Sequence, residues 1–422
     1  MRLAPLAVIL ALLAPGLGVG MRAPSVAAQG VGAVPLALDG DAAARPWRRY
    51  PAWPQRDSAK FNTLAALASP PAPTEPRKLA GPITGDPALG AKLAADRSRG
   101  GSCLACHVMG PAGDADLPGN FGPDLSEIGN ASNDDEMLYN FVYDARVYVP
   151  DTPMPPWGTH GIFNEEEIGH IVAFLKTLKA PAPFKSELDD PEKRPPPVEK
   201  RDNLDALLNP AMWAVEDQAP ALWTTTGPAG AACATCHRQP AQAFKTWAAT
   251  MPRWEPRLNK VLGVEEFVTR HAEAATGHAW PIESAENVAL AVYLRFLANG
   301  STIAVDTQSP PAQAAYARGE ALAHRKVGQL NFACVDCHTP EGGAGKWIRG
   351  QWLAQLRGAL DHFPTWRTSQ QAIWDIRKRF QWCQVAVWAN ELPPDAKEYG
   401  DLELYLTAQS NGLKLNVPGI RH

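Results

Sequence analysis

Six of the seven cysteines in this 422-residue chain fall into three units of the same spacing, each closed by a histidine. The units are Cys103-Leu104-Ala105-Cys106-His107, Cys233-Ala234-Thr235-Cys236-His237 and Cys334-Val335-Asp336-Cys337-His338. Two thiols so spaced can form thioethers with the vinyl groups of a haem, and the adjoining imidazole then lies beneath the iron as proximal ligand. One such unit in a cytosolic chain would equally suit a redox dithiol or half of a zinc site. Three units, each ending in His and all behind an export signal, point to three covalently bound c-type haems. The seventh cysteine, Cys383, has no partner left for a disulfide. Arg377, Lys378 and Arg379 precede it, and a cationic neighbourhood stabilises a thiolate, so Cys383 reads as a working thiol rather than a core residue.

A second axial ligand decides whether a haem transfers electrons or does chemistry. Downstream of the first motif, Met154 lies in Thr152-Pro153-Met154-Pro155-Pro156, where the prolines stiffen the loop that would present it. Met137 competes, but its helical surroundings over 134–143 are those of a packing methionine. His/Met ligation would raise that haem's potential. For the second motif the candidates are Met251, His271 and His278, and His271 follows a helical stretch able to aim its side chain inward. For the third, Cys383 is the expected sixth ligand, which would lower the potential and make the sulfur a reaction site.

The elements that must hold these residues recur three times. A motif is followed by a long irregular stretch and then by an amphipathic helix. The first such helix opens at Asn164, with Glu167 at the third helical position for a capping box and Phe163 and Ile168 spaced for a hydrophobic staple. Ile168, Ile171, Val172, Leu175 and Leu178 then keep helical spacing. The second runs from Ser284 through Val288, Val292 and Phe296 to Gly300. The third includes Leu402, Leu404, Tyr405 and Leu406 and stops at Gly412. Shorter helices precede the outer motifs, over 89–96 and 314–324. These are the parts of a class I cytochrome c, so the expected fold is all-α: three such modules, the last two forming one pseudo-repeated body.

Residues 1–28 read as a secretory leader. Arg2 supplies the positive start, Leu6–Leu17 the apolar run and Val26-Ala27-Ala28 the small-residue cleavage site. Nothing else approaches transmembrane length, so an exported chain without stable membrane insertion is expected, periplasmic in a Gram-negative host. The formal charge of −4 excludes the basic field that nucleic acid would need. Proline, at 40 residues, announces long ordered loops. The expected partition is 29–83 as an extension wrapping the first module, 84–182 as that module, and 183–205 as an exposed proline-rich linker. Two further modules follow, over 206–305 and 306–422, with a second joint near Ser301–Pro311.

With these residues in view, the chain resembles the SoxX and SoxA cytochromes of the bacterial sulfur-oxidation system, joined end to end. The SoxX resemblance covers about 84–180 and rests on the Cys103 motif, Gly122-Pro123-Asp124-Leu125 and Pro150-Asp151-Thr152-Pro153-Met154-Pro155. The SoxA resemblance, over about 206–422, is more specific. It includes Asn209-Pro210-Ala211-Met212, Gly328-Gln329-Leu330-Asn331-Phe332, Gly345-Lys346-Trp347-Ile348-Arg349-Gly350, His362-Phe363-Pro364-Thr365-Trp366-Arg367 and the Arg379-x-x-x-Cys383 spacing. Two departures stand out. SoxX and SoxA are normally separate subunits, and the residue usually found as Cys in the first SoxA module is here His271, within Val268-Thr269-Arg270-His271-Ala272. That departure supports bis-His ligation by His237 and His271.

The resemblance implies an L-cysteine S-thiosulfotransferase. Such an enzyme would couple thiosulfate to a cysteine of the SoxYZ carrier protein and pass two electrons through the Met154 haem to a small soluble cytochrome c. Cys383 would then be haem ligand and sulfur-accepting nucleophile, with Lys346, Arg349, Arg367 and Arg379 as cations for the thiosulfate dianion. Two other classes stay open: a thiosulfate dehydrogenase forming tetrathionate, and a multihaem electron carrier without substrate chemistry.

Overall fold

The computed structural model describes residues 34–38, 60–99, 102–110, 117–131, 134–197, 203–348 and 350–422. The expected leader at 1–28 and Arg349 lie outside them. Eight helices of nine or more residues carry the described architecture: α1 (Pro87–Ala95), α2 (Asp135–Asp144), α3 (Glu165–Leu175), α4 (Val264–Thr276), α5 (Ala285–Phe296), α6 (Pro310–His324), α7 (Ile376–Ala386) and α8 (Lys397–Ala408). Seven short strands accompany them: β1 (Arg253–Glu255), β2 (Lys260–Leu262), β3 (Trp347–Ile348), β4 (Gln351–Trp352), β5 (Thr365–Arg367), β6 (Ala372–Trp374) and β7 (Gly419–Arg421). The all-α expectation is therefore amended to a mostly helical protein with three small sheets. β1–β2 and β3–β4 are hairpins, and the third sheet has the order β6-β5-β7, with β7 parallel to β5. Strands of two or three residues are too short for an alternating pattern to be read from sequence.

The expected caps are present. Asn164 and Glu167 form the capping box of α3, and the Ser284 side chain caps α5. In the first module α3 buries Ile168, Ile171, Val172 and Leu175 and crosses α1 at Gly90, where an added Cβ would lie 1.9 Å from the His170 carbonyl oxygen. The third module repeats this crossing. There α6 meets α8 at Gly319, where a Cβ would lie 2.1 Å from the Asp401 oxygen. In both cases the two backbones touch, which only glycine permits without displacement.

A second repeat links the second and third modules. Each has a cis X-Pro bond, Met251-Pro252 or Phe363-Pro364, followed at once by a hairpin, β1–β2 or β5–β6. Each hairpin turns at a left-handed non-glycine residue, Asn259 or Gln371, and leads into a helix, α4 or α7. The C-terminal chain locks these modules together. Leu415 and Val417 enter the core of the second, beside Ile303, and β7 completes the sheet of the third. The expected joint at Ser301–Pro311 is accordingly a packed segment: Gly300 and Ile303 donate their N–H groups to Leu415 and Leu413.

The extension wraps more than the first module. Leu36 joins the core of the second, Leu64 that of the third, and among the described residues Arg77, Lys78, Leu79 and Ile83 bond to α2 and α3 of the first. The stretch read as an exposed linker is also partly docked. Asp190 and Arg194 are buried, and Arg194 lies over the Trp347 ring at 4.8 Å. Proline content marked the segment as non-helical but carried no information about what it packs on. No helix among the described residues is long and apolar enough to cross a membrane.

Candidate haem and thiol site

Two of the three motif histidines are oriented by a backbone carbonyl oxygen. His107 Nδ1 lies 2.7 Å from the Pro123 carbonyl oxygen and His338 Nδ1 2.7 Å from that of Ala354. With Nδ1–H donating to a carbonyl, Nε2 keeps its lone pair for a metal. Burial pushes the pKa of His107, His237 and His338 down, which favours the neutral, ligating form; His271 contributes to the shift at His237 and Arg379 to that at His338. Gly122 lets the chain pass close to the proximal ring, since a Cβ there would sit 2.3 Å from His107. Among the described residues none of the seven cysteines forms a disulfide, and the second motif is the most open, with Cys236 exposed. These residues fit covalently held haem: paired thiols, a neutral imidazole of fixed tautomer, and apolar walls.

In the first module, Met154 is half-buried against the core that also holds Cys103 and Leu104, and its N–H donates to Thr152 Oγ1 at 3.2 Å. Met137 sits in the first turn of α2, where its N–H is taken by the Asp134 cap. Opposite the second motif, the His271 and His237 rings stand 5.9 Å apart between centroids. Two imidazoles sharing one iron at ~2 Å from each nitrogen would stand about 6 Å apart. His271 Nδ1 lies 2.9 Å from the Pro35 carbonyl oxygen, the kind of contact that His107 and His338 make with Pro123 and Ala354. The rival candidates are otherwise engaged. Met251 is fully buried in the core, and His278 stacks on Trp280 at 4.0 Å with Nε2 3.2 Å from the Thr225 carbonyl oxygen.

The third site is built by α7. Cys383 is half-buried and close enough to the third motif that its charge, after burial, helps to push the Cys334 thiol up to about 12 and the Cys337 thiol higher. Cys106 acts on Cys337 as well, so the first and third motifs lie close together. One turn before Cys383, the Arg379 guanidinium lies over Trp382 at 4.4 Å, and its buried Nη1 has no hydrogen-bond partner. Trp382 is 6.4 Å from Trp374, and Arg367 lies over Trp374 at 5.7 Å. Arg367 and Arg379 thus share a two-tryptophan platform next to Cys383. Lys346 leads instead into the β3–β4 hairpin, where Trp347 and Asn120 of the first module exchange hydrogen bonds at 2.8 and 3.1 Å.

The base of α7 is a buried charge network. Asp375 caps the helix by accepting from the Lys378 N–H at 2.7 Å. Burial, then the Glu265 and Glu283 carboxylates, push Asp375 up to about 8. Arg377 pairs with Glu403 at 2.6 Å; Arg295 lies 3.4 Å from Glu403 and 3.5 Å from Glu265 on α4. Lys378 pairs with Glu283 at 3.0 Å. The network joins α4, which carries His271, to α7, which carries Cys383. Sequence reasoning missed Asp375, Trp374, Trp382 and Pro35. An Asp two places before a run of cations was a legible cap signal, whereas nothing in the sequence tied Pro35 to a residue more than two hundred positions away.

The SoxA/TsdA cytochrome c domain family matches residues 218–303 and the cytochrome c family residues 87–179, so the chain holds two cytochrome c domains that bind haem covalently. The chain is similar to the L-cysteine S-thiosulfotransferase subunit SoxA of Pseudaminobacter salicylatoxidans, 30% identical over 218 residues, 51% of this chain and 75% of that protein. It is also similar to the subunit of the same name from Allochromatium vinosum, 30% identical over 232 residues, 52% of this chain and 78% of that protein. Among solved structures it is similar to SoxXA from P. pantotrophus, at 27% identity and a TM-score of 0.48, covering 52% of this chain and 81% of that one. With 30% identity over three quarters or more of each of those two SoxA subunits, the chain belongs to the SoxA family of L-cysteine S-thiosulfotransferase subunits.

Proposed function

We propose that this chain is a natural fusion of a SoxX-like and a SoxA-like part that couples thiosulfate to a cysteine of the SoxYZ carrier protein. The observation that carries the reading is the unpartnered, buried Nη1 of Arg379, one helical turn from the half-buried Cys383. Thiosulfate is a small dianion, and a guanidinium offers it a planar pair of donors. Arg379 holds the sulfonate end, Arg367 adds charge from across the tryptophans, and the sulfane sulfur meets Cys383. A bond forms between the Cys383 sulfur and the sulfane sulfur as two electrons leave. The carrier thiolate then attacks the sulfane sulfur, and Cys383 leaves as thiolate. Overall, a carrier thiol and thiosulfate give a thiosulfonate ester on the carrier, one proton and two electrons.

Haem, when bound at the three motifs, would supply the one-electron acceptors. In this reading the residues that would hold the haem irons are His107 with Met154, His237 with His271 and His338 with Cys383. The Met154 module is the exit, toward a small soluble cytochrome c in the periplasm. The closeness of Cys106 to Cys337 supports that order.

The deciding experiment measures thiosulfate oxidation by the haem-loaded chain with and without SoxYZ. Turnover that requires the carrier and loads its cysteine is expected. Carrier-independent formation of tetrathionate would overturn the reading in favour of a dehydrogenase, and no turnover in either case in favour of an electron carrier.

A further inference from the structure

Lys326, two residues beyond α6, reaches across the boundary between the third and first modules. Its ammonium lies 3.2 and 3.1 Å from the two carboxylate oxygens of Asp336, 3.1 Å from the Thr152 carbonyl oxygen and 3.3 Å from that of Asp151. Each partner belongs to a haem motif or its distal loop. Asp336 stands between the cysteines of the third motif, where it also accepts from the Ala333 N–H at 2.7 Å. Thr152 holds the Met154 N–H through its hydroxyl at 3.2 Å. One ammonium, with its side chain only 22% exposed, therefore ties the loop that carries Met154 to the turn that carries Cys334 and Cys337.

The surrounding boundary is packed rather than merely touching. Leu330 and Phe332, from the loop before the third motif, are buried in the first-module core beside Trp157 and Phe163. His160 Nδ1 lies 2.7 Å from the Gln329 carbonyl oxygen, and Gln329 Nε2 donates to the His160 carbonyl oxygen at 2.7 Å. Within this frame an ammonium has three donors and no acceptor, which suits one carboxylate and two carbonyls. A charge-assisted contact of this kind is stronger than a neutral one. Its positive charge beside the Met154 loop also favours whichever state of that site carries one positive charge fewer, which is the reduced state.

We propose that Lys326 is a positioning residue that clamps the Met154 loop to the third haem motif and so sets both the potential at Met154 and the electronic coupling of the two sites. The proposal rests on the reading that haem is carried at both motifs, but not on thiosulfate being the substrate.

The test uses the full haem-loaded chain with Lys326→Met, Lys326→Arg and Asp336→Asn. Three quantities are read: the far-red absorption band of Met-ligated ferric haem, its midpoint potential, and the rate of internal electron equilibration after photoreduction. Lys326→Met is expected to lower the midpoint, to raise the fraction of protein with the Met154 loop displaced roughly tenfold, and to slow internal equilibration at least threefold. Lys326→Arg should restore most of each. Asp336→Asn leaves the carbonyl contacts in place, so it should slow equilibration while keeping the Met band. Unchanged midpoint and rate in Lys326→Met would overturn the proposal. A silent Asp336→Asn would overturn the clamp between modules and leave Lys326 a local prop. Failure of thiosulfate turnover in the unsubstituted chain would remove the proposed function without touching these readouts. Where Lys326→Met does not incorporate haem, the Asp336→Asn rate decides.

Discussion

His271 and Cys383 occupy the same station in two copies of one structural unit: each lies twelve residues beyond a left-handed hairpin residue, Asn259 or Gln371, on the helix that follows. The hairpin fixes where the helix starts, and helical rise fixes which side chain then faces the preceding motif. One backbone arrangement thus presents an imidazole to the second motif and a thiol to the third. Paramagnetic resonance of the oxidised chain is expected to show a thiolate-ligated signal that disappears in Cys383→Ser, with the second-site signal intact. His271→Ala should convert only the second site to high spin. A thiolate signal that survives Cys383→Ser would remove Cys383 from the third site.

Arg379 should matter to substrate and not to haem. Losing one charge-assisted contact costs ~1.5–3 kcal/mol, roughly ten- to a hundredfold in rate. Arg379→Ala is therefore expected to keep its haem spectrum while carrier-coupled turnover falls at least tenfold. Arg379→Lys, which keeps the charge and loses the planar fork, should fall between. Near-normal turnover in Arg379→Ala with an unchanged spectrum would take the arginine out of the site.

The segment 34–38 should tune the second site from outside its module. It is held by Leu36 in the core, by paired hydrogen bonds between Ala37 and Arg270, and by Arg257 donating to the Val34 carbonyl oxygen. Leu36→Asp buries an unpaired charge at a cost of roughly 2–5 kcal/mol, enough to undock so short a segment. His271 Nδ1 then loses the Pro35 carbonyl, and the imidazole becomes a weaker donor. A redox titration should find the second-site potential raised and the other two unmoved; a uniform shift of all three would point to general unfolding instead.

Asp375 gives a pH dependence of definite sign. Its ordinary value is 3.8 and its folded value about 8. Between those limits the folded chain holds a proton that the unfolded chain releases. The Asp375 contribution to stability is therefore most favourable below pH 4, falls as pH rises through this window, and levels off above about 8. Asp375→Asn keeps an oxygen for the Lys378 N–H and cannot ionise. Its stability relative to the unsubstituted chain should rise with pH, by up to ~1.4 kcal/mol per unit. Denaturant unfolding at several pH values between 5 and 8 measures this; parallel curves would refute it.

Much of this protein was legible one residue at a time. Thioether chemistry requires two thiols and an imidazole within five positions, so each haem motif is local and complete in sequence. Helix caps are equally local, and Asn164, Glu167 and Ser284 lie where their capping roles require. The odd cysteine followed from counting alone, and its cationic run from reading the next few residues.

Other features depended on segments distant in sequence. The short strands carry no periodic signal, and the tail that interlocks the second and third modules pairs residues near 302 with residues near 414. Among the distal candidates of the second site, helical context and the family resemblance already favoured His271. The fold adds what sequence could not carry: Met251 is sealed in the core, His278 has its Nε2 against a carbonyl, and His271 has Nδ1 held by Pro35 with its ring 5.9 Å from His237. The Lys326 contacts likewise join residues 151, 152 and 336 across two modules. Sequence spells out chemistry that is bonded within a turn or two of chain. Which oriented donor meets which acceptor across a module boundary is decided by packing, because that choice depends on the position of every buried side chain between them.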